Sequence, residues 1–174
     1  MTLVLVSVDP ALADAFPSPG VGTAEQLREQ SRRSRGHGEE LALGQTGLGL
    51  AQILAVYQPS CDALGILSSG RAVPGTRSGE PGQLLSPAQC AQIVGMLAQL
   101  NADHLPIPDP EGWGPDPRIE SDSKLAELAG KLDLHGLEPQ GIEEMAQLAE
   151  ELVALKAFYA GVQARGDGVL AVLG

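Results

Sequence analysis

Apolar positions along this chain alternate between the two-residue period of strands and the 3.6-residue period of helices, and the changes of period divide it into elements. "TLVLVSV" (2–8) is short, β-branched and apolar, and predicts a strand. Asp9 and Pro10 then supply a cap and a first-turn proline for a short helix in "DPALADAF", which Phe16-Pro17-Ser18-Pro19-Gly20 ends. Residues 23–34 form the next helix, with Thr23 and Gln26 at capping-box spacing. Leu27 is its one large apolar side chain, so an exposed or frayed helix is expected, running into a polar, mobile loop near 34–40. Leu50, Ile53, Leu54 and Tyr57 share one face of a helix over 46–57.

Five glycines and three prolines make 59–85 a loop, with at most short strands around 64–67 and 71–73. Ser86, Pro87 and Gln89 open a well-capped helix to Leu100, whose apolar stripe is Ile93, Val94, Met96, Leu97 and Leu100. "GEELALG" is a weak strand candidate, and "PIPDPEGWGPDPR" (106–118) is an extended, mobile connection carrying Trp113, the single tryptophan. A helix over 121–134 turns Leu125, Leu128 and Leu132 inward. The longest helix, 140–165, sets Ile142, Met145, Leu148, Leu152, Leu155, Phe158, Tyr159 and Val162 against acids at 143, 144, 150 and 151. Gly166-Asp167-Gly168 turns the chain into a last strand, 169–173. The expected fold is α+β: one domain over 1–174, with a small sheet holding the N- and C-terminal strands.

Composition narrows the class. The 174 residues are 43% hydrophobic but only 3% aromatic, so aliphatic side chains and alanine must fill the core. No apolar run reaches the roughly 18 residues of a membrane span, and "MTLVLVSVDP" has no basic region ahead of its apolar stretch, so a cytoplasmic protein is expected. The net charge of −11 is lopsided: residues 1–80 carry six arginines and eight acids, and residues 81–174 carry five bases and fourteen acids. Such a field repels nucleic acid and anionic membranes and suits a basic protein partner.

Candidate chemistry adds little. "GQTGLGLAQIL" (44–54) spaces its glycines G-x-x-G-x-G, not the G-x-G-x-x-G of a dinucleotide loop, and lacks the Gly-Lys-Ser/Thr ending of a P-loop. His37, His104 and His135 belong to no ligand pattern, and each reads as a solvated or capping residue. Cys61 and Cys90 form neither a disulfide framework nor a nucleophile motif. The "RGD" at 165–167 reads as a helix end and turn. Glu143 and Glu150 lie seven apart on one helix face without the histidines a bimetal bundle needs. No catalytic residue, metal site or cofactor is assigned.

The C-terminal "LAEELVALKAFYAGVQARGDGVLAVLG" resembles the end of the YfbM-like family, a bacterial family of unknown function. "VLVSVDPALADAF" resembles its opening strand and helix start, and "LSPAQCAQIVGMLAQL" its Leu-Ser/Thr-Pro helix. Within "LALGQTGLGLAQIL", Gly49 and Leu50 match the family's Gly-Leu, whereas Gly47 and Ala51 stand at its aromatic and histidine positions. The resemblance implies a single α+β domain and carries no activity. The functional expectation is an acidic, non-enzymatic interaction protein contacting a basic partner through Glu143, Glu144, Glu150 and Glu151. The alternative is a small-ligand binder or enzyme with a pocket between the 59–85 loop and the Trp113 loop. Oligomeric state is left open.

Overall fold

The computed structural model describes residues 2–43, 56, 70–75, 81–101, 103, 105, 117–131 and 139–173. The apolar run at the N-terminus forms β1 (Leu3–Val8), and the last apolar run forms β5 (Gly168–Leu173). They pair antiparallel over six positions, from Leu3↔Leu173 to Val8↔Gly168, so the two ends of the chain lie side by side. β2 (Glu40–Leu43) adds to the far side of β1. β4 (Gly82–Leu85) adds to β5, and β3 (Arg71–Val73) to β4. The five-stranded antiparallel order is β2-β1-β5-β4-β3.

Both faces of the central strands are apolar, because β1 and β5 are nearly continuous hydrophobic runs. The pleat sends Leu5, Val169, Ala171 and Leu85 to one face and Val6, Val8, Leu170, Val172 and Leu84 to the other. The first face is covered by α3 (Pro87–Leu97), α4 (Ser123–Lys131) and α5 (Pro139–Arg165). Cys90, Ile93, Leu97, Leu128, Leu148, Leu152, Leu155, Phe158, Tyr159 and Val162 fill that layer. Phe158 and Tyr159 meet edge to face, 5.5 Å between ring centres. The second face is covered by α1 (Pro10–Ala15) and α2 (Ala24–Arg33), through Ala13, Phe16, Ala24 and Leu27. The α+β class, the paired terminal strands and the long last helix are as the sequence pattern predicts.

Two elements differ from the pattern. The expected loop 59–85 ends in a strand: Leu84 and Leu85 bury on opposite faces, and Gly82 lies where a Cβ would come within 3.2 Å of Ala24 and Val172. A Pro-Gly pair so close to a strand reads as a turn, yet here the missing side chain lets α2 approach the sheet. The helix expected to be exposed is a packed one: Ala24, Leu27 and Ser31 are all completely buried. Small residues on either side of Leu27 let the backbone sit close to β1, and Ser31 Oγ donates to the Leu27 carbonyl at 2.8 Å. The Thr23 hydroxyl accepts from Gln26 N at 3.3 Å, while the Gln26 side chain accepts from Gly22 N at 2.9 Å, one residue ahead of a standard capping box. α3 does have the full capping box between Ser86 and Gln89. α4 starts two residues later than expected, after a 3-10 turn at Pro117–Glu120, where Asp122 accepts from Lys124 N and Leu125 N. The expected helix 46–57 and strand 64–67 lie outside the described residues, apart from buried Val56.

α5 runs 27 residues, about 40 Å. It stops at a left-handed glycine: Gly166 has φ +71°, Gly166 N donates to Gln163 O at 3.1 Å, and Asp167 N donates to Val162 O at 3.0 Å. Gly168, the first residue of β5, lies so close to β4 that a Cβ would stand 2.7 Å from the Leu85 carbonyl oxygen. Gly168→Ala is therefore expected to lower stability by about 2 kcal/mol in denaturant unfolding, since backbone must move to admit the methyl group. The Tyr159 hydroxyl is buried and has no hydrogen-bond partner among the described residues. Tyr159→Phe is expected to leave stability unchanged or raise it by up to about 1 kcal/mol in the same measurement, because it removes a buried polar atom that folding leaves unsatisfied.

Candidate functional site

Polar side chains from four segments converge at one end of the central strand pair. Asp9 follows β1, His37 and Glu39 lie between α2 and β2, Arg165 ends α5, and Asp167 precedes β5. Local structure explains each placement. Asp9 caps α1, its Oδ1 accepting from Ala11 N at 2.8 Å. The left-handed glycines Gly36 and Gly38, φ +83° and +80°, bend the chain around His37. Gly38 N donates to Ser7 O at 3.1 Å, Glu39 N to Ser7 Oγ at 3.0 Å, and Ser7 N to Glu39 O at 2.8 Å, which fastens this segment to β1. The helix-ending turn at Gly166 delivers Asp167 into the same spot.

Asp167 is completely buried. One of its oxygens lies 2.7 Å from His37 Nδ1, and the other accepts from Arg165 Nε at 2.8 Å. Arg165 Nη2 also donates to Glu39 Oε2 at 3.0 Å, and these two acidic partners, Asp167 foremost, raise the guanidinium pKa further. The other ring nitrogen, His37 Nε2, faces Asp9 Oδ2 across 3.6 Å. A buried carboxylate is tolerable only when its oxygens are matched by donors, and here a guanidinium and an imidazole supply them. His37, whose sequence setting suggests a solvated or capping residue, is part-buried and bonded within this cluster. It is clasped between two aspartates 28 residues before it and 130 after it.

A second charged arrangement lies nearby. Arg28 and Arg32, one turn apart on α2, both fork onto Glu40, the first residue of β2, through four bonds of 2.7–3.0 Å. The hydrogen bonds from Arg28, then those from Arg32, hold the Glu40 carboxyl at about 2, well below the usual carboxylate range, although partial burial opposes them. A groove of about 590 Å³ runs along α2 beside this pair, lined by Arg28, Arg32, Arg33, Glu25 and Glu29 among others. Its cations are engaged: Arg33 pairs with Glu29 at 2.9 Å, and Arg28 and Arg32 pair with Glu40.

The residues named from sequence fall elsewhere. Trp113, most of 59–85, Cys61, His104 and His135 lie outside the described residues, as does the glycine-rich stretch 44–54. Glu143 and Glu144 lie on the first turns of α5, where the backbone path alone is described. Glu150 is exposed on the outer face of α5. Glu151 is half-buried, one oxygen accepting from Gln147 Nε2 at 3.4 Å and the other shielded from water without a hydrogen-bond partner among the described residues. The structure does not bring these glutamates to the His37 cluster, since Glu150 and Arg165 stand about 22 Å apart along the helix. Cys90 is fully buried, and burial pushes its thiol up to about 12, with the Asp167 charge adding to the effect, so it offers no thiolate at neutral pH.

Among the described residues no group of three or more histidine, cysteine or acidic side chains could hold a metal ion, and no helix is long and apolar enough to cross a membrane. No protein-family model, curated protein or solved structure matches the chain.

The Arg28–Glu40–Arg32 pairing has a pH signature. Because the folded Glu40 carboxyl ionises at lower pH than an unfolded one, its contribution is complete above the ordinary range near 4.5 and is lost as pH falls toward about 2. Glu40→Gln is expected to flatten the decline in unfolding free energy over that window, read by urea melts at successive pH values, and to lower stability at pH 7.

Proposed function

We propose that this protein is an interaction domain that docks a basic protein partner through the acidic side of its C-terminal half. The observation that carries this reading is Val153, 69% exposed on the outer face of α5 and the exposed large hydrophobic among the described residues. It follows exposed Glu150 by one turn and is flanked along the helix by exposed Ala146, Ala157 and Ala160. An apolar position in an acidic setting offers a partner both a contact to desolvate and a field that attracts positive charge. Glu143, Glu144 and Glu151 are the further acidic contacts on this helix that the reading proposes. The balance of fourteen acids against five bases over 81–174 supports it.

Kinship with the YfbM-like family and a cytoplasmic location are parts of the same proposal. The order of opening strand, Asp-Pro helix, Ser-Pro helix, long last helix and terminal strand supports the kinship.

Glu150→Lys combined with Val153→Asp leaves the core untouched and alters the centre of the proposed surface. Tagged wild-type protein is expected to retain a basic protein from its own cell extract at about 50 mM salt and to release it at about 500 mM, where charges are screened within a few ångströms. The double variant is expected to retain at least about tenfold less at low salt with an unchanged circular dichroism spectrum. Retention indifferent to both salt and substitution would refute the reading.

A further inference from the structure

The two ring nitrogens of His37 make contacts of different kinds, and only one of them depends on the charge of the ring. Nδ1 lies 2.7 Å from Asp167 Oδ1, and the second oxygen of Asp167 accepts from Arg165 Nε. A carboxylate only accepts, so Nδ1 carries its hydrogen whether the ring is charged or neutral. The proton that the ring gains or loses is therefore the one on Nε2, which faces Asp9 Oδ2 across 3.6 Å. At that distance the charged ring forms an ion pair with Asp9, whereas the neutral ring has no hydrogen bond to replace it. The charged groups of the cluster come from four segments: Asp9 at the start of α1, Glu39 ahead of β2, Arg165 at the end of α5 and Asp167 ahead of β5. Three carboxylates thus stand against one guanidinium, and a positive ring offsets part of that excess where a neutral one does not.

We propose that His37 is a pH-sensitive fastening for α1: with both ring nitrogens protonated it ties the start of that helix to the turn into β5, and loss of the Nε2 proton frees α1 while the rest of the clasp stays closed. The helix is built to feel the difference. It has six residues, too few to be stable by itself, so it depends on its fastenings. Asp9 is both its cap and its link to His37: Oδ1 accepts from Ala11 N at 2.8 Å, the Asp9 carbonyl accepts from Ala13 N at 2.9 Å, and Oδ2 faces the ring. The far end is held separately. Arg71 Nη2 donates to the Ala13 carbonyl at 2.8 Å, and the guanidinium lies 5.5 Å from the centre of the Phe16 ring. Ala13 and Phe16 are buried in the second apolar layer. Freeing the Asp9 side chain therefore loosens the cap and the first turn, not the whole helix. The fastening is made on the acid side and lost on the alkaline side.

Amide hydrogen exchange of the whole protein at about pH 5.5 and about pH 8 tests this, each rate being divided by that of an unstructured chain at the same pH. Protection of Ala11 and Ala13, whose amides donate to Asp9, is expected to fall about two- to fivefold at the higher pH, the size of a partly exposed ion pair. Protection of Gly38 and Glu39, whose amides donate to Ser7, is expected to stay constant. Asp9→Asn keeps an oxygen to cap α1 but removes the charge, and is expected to show the same low protection of Ala11 and Ala13 at both pH values. Salt at about 500 mM is expected to shrink the wild-type difference, because the contact is an exposed ion pair. Constant wild-type protection, an undiminished pH response in Asp9→Asn, or a parallel loss at Gly38 and Glu39 would overturn the proposal. The first and third of these are read on the wild-type protein, so they decide it even if the variant unfolds.

Discussion

The pairing of the first strand with the last is the constraint on which the rest of this structure depends. β1 and β5 pair over six residues, and the other described strands build outward from them: β2 on β1, β4 on β5, and β3 on β4. Because both are hydrophobic on both faces, they can exist only between two layers of helices, which sets the order helices, sheet, helices. A contact between residues so far apart in sequence carries a loop-closure cost that the burial of both strands must offset. Because α5 ends in a tight glycine turn, β5 enters the sheet directly from the helix packed across it.

The end of that strand pair is also where the interior is polar. Asp167 would be intolerable next to the apolar core were its two oxygens not matched by Arg165 and His37. The match draws in the segment after α2, which Ser7 and the two left-handed glycines hold in place. The clasp thus joins strand pairing to the placement of β2, since Glu39 and Glu40, which receive Arg165, Arg28 and Arg32, are the residues leading into that strand. On the outer side of the clasp, His37 Nε2 faces Asp9 Oδ2 across 3.6 Å, which ties the cap of α1 to the same cluster.

Much of the fold is legible in the chain because hydrophobic period and capping chemistry agree. α3 starts where Ser86, Pro87 and Gln89 say it should, and α5 buries the stripe from Leu148 to Val162 that its heptad-like spacing marks out. Leu27 misleads because burial of α2 comes from Ala24 and Ser31, residues too small to register as apolar signal yet small enough to admit a close approach. β4 hides for a related reason: Gly82 looks like a turn and acts as a gap for a neighbouring helix. The exposed glutamate on α5 is readable from periodicity, which says which face of a helix meets water.

Composition and pattern by themselves determined the α+β class, the terminal strands, the capped helices and the acidic bias of the C-terminal half, because these follow from local propensity and from counting charges. Only the tertiary structure decided that Asp9, His37, Arg165 and Asp167 meet. Their sequence positions follow no period, no motif encodes the separation, and each taken alone has an ordinary local explanation as a cap, a loop residue or a turn. They come together because β1 and β5 are neighbours and because a buried carboxylate must find donors wherever the fold brings them within about 3 Å.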